Sequence, residues 1–258
     1  MRRMIVILPL LAIGLLVGCG SSSHAPTTTV APAAATTRAN AAAAAKTSAT
    51  QRLFTKTQAI AFAHAVNLRA RDVPGFKVAS EHKERETPAE KRSGAELTRC
   101  AGGVGSSHQV AEASSKEFER EGNNSAQNVQ SGVTVEQTPA LAAKELAAIR
   151  SARGRTCLSH YVTLLFRGQK YEGASVGPVS ISSGSPHAPG TTGGFALRIT
   201  ATITLHHIKI PFYMDFLGFV YGPAEVTLFS FSLPEPFPAA TEERLFSLLL
   251  TRAKTHGA

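Results

Sequence analysis

The clearest periodicity in the chain lies at residues 197–205, where Leu197, Ile199, Ala201, Ile203 and Leu205 alternate with Arg198, Thr200, Thr202 and Thr204. Successive side chains of a strand point to opposite faces, so this pattern predicts a strand with one buried and one wet face. The apolar runs 212–221 and 225–233 predict two further strands, joined through Gly222-Pro223. Weaker strand signals fall at 109–118, at 128–137 and from Phe76 onward. The Gly/Ser/Pro-rich stretch 182–194 predicts a long loop between strands.

Elsewhere the spacing is helical. Thr55-Lys56-Thr57-Gln58 has the capping-box spacing. Ala59, Phe62, Ala63 and Val66 follow it at i, i+3, i+4 and i+7. Asp72-Val73-Pro74-Gly75 predicts a turn, with Pro74 and Gly75 suited to its central positions. The charged stretch 81–91 reads as a solvated strand end and loop. Thr138-Pro139 opens a second helix, because proline at the first helical position loses no needed donor. Ala142, Leu146 and Ile149 form the apolar stripe of that helix. Beyond the basic residues 150–155, Cys157, Leu158, Tyr161, Val162 and Leu165 continue at helical spacing. Pro236 and Pro238 precede a last helix lined by Leu245, Leu248 and Leu249. Long consecutive strands with short turns imply an antiparallel sheet. Residues 51–258 therefore predict one α/β (α+β) domain with a central antiparallel sheet covered by helices.

The N-terminal region follows other rules. Arg2 and Arg3 precede an uncharged apolar run of about 14 residues, shorter than the roughly 20 that a spanning helix needs. That length suits a signal-peptide core. The run ends in Leu16-Val17-Gly18-Cys19, which resembles the lipobox of bacterial lipoproteins. The resemblance implies cleavage after residue 18 and diacylglycerol on the Cys19 thiol. Two or more acyl chains make such attachment effectively permanent. Residues 20–50 are mostly Ala, Thr, Ser and Pro, with Arg38 and Lys46 the only charges. This composition cannot bury enough apolar surface to offset its ordering entropy, so it predicts a spacer with a reach of roughly 30 Å.

Charge narrows the partners. The whole chain carries +9, and without Arg2 and Arg3 the remainder carries +7. Outside a cell the anionic neighbours are phospholipid head groups and cell-wall polymers. The basic residues are scattered without interleaved aromatics, which argues against nucleic acid. With Cys19 assigned to lipid, Cys100 and Cys157 are the remaining thiols. In an oxidising compartment such a pair most often forms a disulfide. A redox or metal role lacks both CxxC spacing and clustered histidines.

Four segments have a familiar order: Asp72-Val73-Pro74-Gly75-Phe76, Ser131-Gly132-Val133-Thr134-Val135, Ala140-Leu141-Ala142-Ala143 and Gly218-Phe219-Val220-Tyr221-Gly222. Together with the two cysteines, this order resembles actinobacterial envelope lipoproteins. Those in turn resemble the extracellular sensor domains of membrane-bound Ser/Thr kinases and the wider PsbP-like group. The resemblance implies an α/β sandwich with a central antiparallel sheet and a disulfide. It carries over no catalytic residue.

Three places hold candidate chemistry. Gly173-Ala174-Ser175-Val176-Gly177 matches the G-x-S-x-G nucleophile elbow, with Asp215 and His256 following in the hydrolase order. The elbow needs strand, turn and helix in succession, whereas Pro178-Val179-Ser180-Ile181 reads as strand, so the match is read as chance. His206-His207 reads as a hairpin end, since adjacent strand residues face opposite ways and cannot readily share an ion. Asp215 lies inside an apolar run, and a buried carboxylate must be paired or protonated. A cross-strand partner such as Arg198 meets that need, and a ligand cleft at Asp215 is the functional alternative. The sequence thus points to a tethered, non-catalytic binding or sensor-type domain needing no cofactor or metal. Its partner is an envelope component or an extracellular ligand. A serine hydrolase using Ser175 is the alternative.

Overall fold

In chain order, a computed structural model gives α1 (Lys56–Val66), β1 (Lys77–Val78), α2 (Pro88–Ala101), β2 (Gln109–Ser114), β3 (Phe118–Glu121) and β4 (Ala126–Glu136). These are followed by α3 (Pro139–Arg150), α4 (Ala152–Gly168), β5 (Ala174–Val176), β6 (Ser180–Gly184), β7 (Gly193–Leu205), β8 (Ile208–Tyr221), β9 (Ala224–Leu233) and α5 (Ala239–His256). The structure describes residues 53–80, 88–168, 174–205 and 207–257. The predicted signal, Cys19 and spacer lie outside the described residues, as do 81–87 of the charged run.

The strands form one antiparallel sheet in the order β1-β3-β4-β9-β8-β7-β5. β2 joins β3 on the free side of β4, and β6 joins β5 on the free side of β7. The three long central strands are a meander, β7 to β8 to β9, with tight turns at each end.

Local chemistry accounts for the helix starts. The Thr55 hydroxyl accepts from the Gln58 amide at 3.3 Å while the Gln58 side chain accepts from the Thr55 amide at 3.0 Å. Thr138 caps α3 by accepting from the Leu141 amide at 3.3 Å. Gly75, at φ +84°, occupies the turn position that favours glycine, and the Phe76 amide closes that turn onto the Val73 carbonyl.

Both faces of the sheet are covered. On one, Phe62 and Val66 of α1 and Leu245 and Leu249 of α5 pack on Val133, Val226 and Phe219. On the other, Val162 of α4 packs on Ile199, Phe212, Met214 and Phe231. Beside it, Ala142 and Leu146 of α3 pack on Phe195 and Val220. Each fully buried side chain of this size contributes about 1.5–3 kcal/mol.

Cys100 and Cys157 form the disulfide, with Cα atoms 5.9 Å apart. It joins the end of α2 to α4, and Arg153 donates a further hydrogen bond to the Cys100 carbonyl. Three expectations need correction. Residues 88–91 of the charged run are not loop but open a helix, α2, that continues to Ala101. The predicted strand at 109–118 is two strands, because β2 and β3 meet β4 at different points along its length. The expected loop at 182–194 starts later, since 180–184 pairs with β7.

Candidate functional site

The register across the middle of the sheet sets the site. Arg198 of β7 stands opposite Asp215 of β8, Asp215 stands opposite Ser230 of β9, and Ser230 stands opposite Val129 of β4. All four therefore share the face covered by α1 and α5. Arg198 donates to Asp215 through Nε at 2.5 Å and through Nη2 at 3.1 Å. Such a fork-on-carboxylate arrangement is both strong and geometrically selective. Nη2 also lies 3.8 Å from Oε2 of Glu242, in the first turn of α5. Ser230 donates to the other Glu242 oxygen at 2.6 Å.

One guanidinium therefore serves two carboxylates. The Asp215 and Glu242 side chains are only 4% and 7% exposed, while that of Arg198 is 39% exposed. Burial, with the nearby Asp215, outweighs the hydrogen bond from Ser230 and the attraction of Arg198, and pushes the Glu242 carboxyl up to about 7. The hydrogen bonds from Arg198 to Asp215 push its guanidinium further above its ordinary range, so it stays charged. The group opens into a recess of about 280 Å³, bounded by Ser182, Ser183 and Gly184 of the edge strand β6 and by Leu217. The site thus offers a fixed positive fork, a carboxyl able to hold or release a proton near neutrality, and edge-strand hydroxyls.

Asp215 and Arg198 are brought together as the cross-strand pair. Ser175 pairs with Thr204 on β7, six residues from Arg198, which at about 3.3 Å per residue sets it roughly 20 Å along the sheet from Asp215. His256 is the last residue of α5, fourteen residues from Glu242, or roughly 21 Å at 1.5 Å per residue. Ser175 is on an edge strand with no helix after its turn, so these three residues assemble no triad. His207 is exposed at the β7–β8 turn with φ +68°, and His206 lies outside the described residues.

Glu242 and Ser230 were not anticipated. A signal for Glu242 existed: it precedes Leu245 and Leu249 by three and seven residues, on the same helical stripe. A second buried acidic group lies on the opposite face. Glu225 of β9, beside Thr134 of β4, is near Glu136 at the end of β4 and Glu145 of α3. Burial first, then the charges of Glu145 and Glu136, push Glu225 up to about 8. Burial and Glu145 push Glu136 up to about 7. Among the described residues no group of three or more His, Cys, Asp or Glu is placed to hold a metal ion. No described helix is long and apolar enough to cross a membrane.

No family model matches the chain, and no curated protein matches it. Among solved structures the chain is similar to the extracellular domain of PknH from Mycobacterium tuberculosis, at 9% identity and a TM-score of 0.42. That likeness covers 80% of this chain and 99% of the other.

Proposed function

We propose that this chain is a membrane-tethered, extracytoplasmic binding or sensor-type domain without catalytic activity, and that its ligand enters the recess at Arg198, Asp215 and Glu242. The observation that carries this reading is the asymmetry of the ion-pair group: two carboxylates are buried, but the guanidinium holding them is left open to a recess. The matching ligand is rich in oxygen: a carboxylate, phosphate or vicinal hydroxyls against Arg198, with a donor group towards Glu242. Anionic or polyhydroxyl components of an envelope have this chemistry, as do small extracellular metabolites.

In the same reading, residues 1–18 are a signal peptide, Cys19 carries lipid, 20–50 form the spacer and 51–258 the binding domain. The Cys100–Cys157 disulfide supports an oxidising compartment. The site test is to purify the full chain from native membranes, with and without Arg198→Ala, and identify co-purifying small molecules by mass spectrometry. One oxygen-rich species with the unaltered protein, absent from the variant, is expected. The same inventory from both overturns the site. The anchor is tested separately by fatty-acid labelling, where equal label in Cys19→Ser and the unaltered chain overturns lipidation.

A further inference from the structure

The two ends of this sheet are protected unequally. An unpaired strand edge offers a row of free N–H and C=O groups, and proteins blunt such edges with charge, proline or a covering element. β3, near one end, reads Phe-Glu-Arg-Glu and is itself covered by β1. β6, at the other end, reads Ser-Ile-Ser-Ser-Gly, without a charge or a proline, and four of its five residues are exposed. Among the described residues its only strand partner is β7, and none of them pairs with its outer edge.

β6 also separates two depressions. Its register with β7 puts Ser182 on the face of Arg198, beside the recess already described. Ile181 points the other way, into the apolar layer under α4. On that side a groove of about 560 Å³ runs between Ile181 and α4, lined by Arg155, Thr156, Ser159, His160 and Thr163. Its charged and titratable lining is basic, with Arg155 and His160 and no carboxylate. A strand laid beside β6 would send alternate side chains to opposite faces. One set would meet Arg155 and His160, and the backbone would satisfy the outer edge.

We propose that β6 is a docking edge for an extended peptide segment of a partner protein, added antiparallel or parallel to Ser180–Gly184, with acidic side chains at the alternate positions facing α4. The outer edge supplies backbone hydrogen bonds, and the groove supplies the side-chain preference. Pro178 and Pro186 bracket the strand, so recognition spans about five to seven residues. The groove lies on the opposite face of β6 from the Arg198 recess, although Ser182, Ser183 and Gly184 of the same strand border that recess.

The test uses the full chain and an end-blocked peptide, Thr-Glu-Thr-Glu-Thr-Glu-Thr. Two readouts apply, peptide affinity and hydrogen exchange at the backbone amides of Ser180–Gly184. Binding with slowed exchange at those amides is expected, weakened about tenfold or more, or 1.4 kcal/mol, in Arg155→Glu/His160→Glu. The milder Arg155→Gln/His160→Gln pair should weaken binding less, and circular dichroism checks the helix in both. Replacing Glu by Lys in the peptide should remove binding, and N-methylation at alternate residues, tried in both registers, should remove the amide protection. Absence of protection with the Glu peptide overturns the proposal. Equal binding by both N-methylated peptides also overturns it, since the groove would then be taking an anion or a saccharide without strand addition. Arg198, Asp215 and Glu242 are untouched, so failure here leaves the recess reading standing.

Discussion

Arg198 and Asp215 face each other across β7 and β8, joined by two hydrogen bonds of 2.5 and 3.1 Å, with the second arm also 3.8 Å from Glu242. Removing the arginine would leave two buried carboxylates close together, and such a pair cannot easily stay doubly charged. Arg198→Met is therefore expected to destabilise by about 2–4 kcal/mol at pH 8. The penalty should shrink at pH 5, where a carboxyl freed of its cation takes up a proton. Denaturant titrations at the two pH values check this, and an equal penalty at both contradicts the shared role of the arginine.

The reach of the sequence can be judged on this same pair. Arg198 was legible as a polar residue in a strict alternation, Asp215 as a charge inside an apolar run, and their pairing as the simplest remedy for burial. Their strand register confirms it. Glu242 escaped because a single acid at a helix start reads equally well as a first-turn charge favourable to the helix dipole. α2 escaped for a different reason. It packs chiefly on α4 and is held there by Cys100, so it needs no broad apolar stripe facing the sheet. The start of β6 was legible at Ser180-Ile181, but its end at 182–184 read as loop because Ser and Gly mark loops in general, and only its partner β7 extends the strand that far. Asp72 read as a turn residue, yet Arg252 of α5 donates to both its oxygens at 2.8 Å, a contact 180 residues distant in sequence.

Gly218 is opposite Phe195, whose ring covers the space a side chain would fill. A Cβ there would lie 2.4 Å from two ring atoms and 2.8 Å from the Val226 carbonyl. Because the Phe195 ring is buried between sheet and α3, it cannot simply swing away. Gly218→Ala should cost about 1–3 kcal/mol as overpacking. A thermal melt shows it as a lowered midpoint, and the double variant with Phe195→Leu should recover part of the loss.

The disulfide closes a loop of 57 residues, worth about 4 kcal/mol in the chain-entropy account. Its loss should be felt unevenly, because α2 has little else to hold it while β4 and α3 within the loop pack into the sheet and core. In Cys100→Ser/Cys157→Ser, hydrogen exchange in α2 should rise well before exchange in β4. Uniform loss across both would mean that α2 is tied into the core by more than its contact with α4.

The carboxyls of Glu225 and Glu136 set the response to alkali. Each sits above its ordinary range in the folded chain, at about 8 and about 7, because burial and neighbouring carboxylates oppose the charged form. Unfolded, both would titrate near 4.3. Between those limits the folded state holds protons that the unfolded state has released, so stability falls as pH rises. Asp72 acts in the opposite sense. Burial would raise it, but the Arg252 and Arg69 hydrogen bonds outweigh burial and hold it below its ordinary range. Its contribution is present above the unfolded value and is lost only as pH falls below about 4. Glu242, also pushed up to about 7, acts in the same sense as Glu225 and Glu136, so maximum stability is expected between about pH 4 and 5, with a decline of several kcal/mol by pH 8. Glu225→Gln keeps the shape and removes the ionisation, so it should flatten the decline and raise stability at pH 8 while changing little at pH 5. Unfolding free energies measured at intervals from pH 4 to pH 9 decide the matter, and a variant whose curve runs parallel to the unaltered protein would show that Glu225 is not the group responsible.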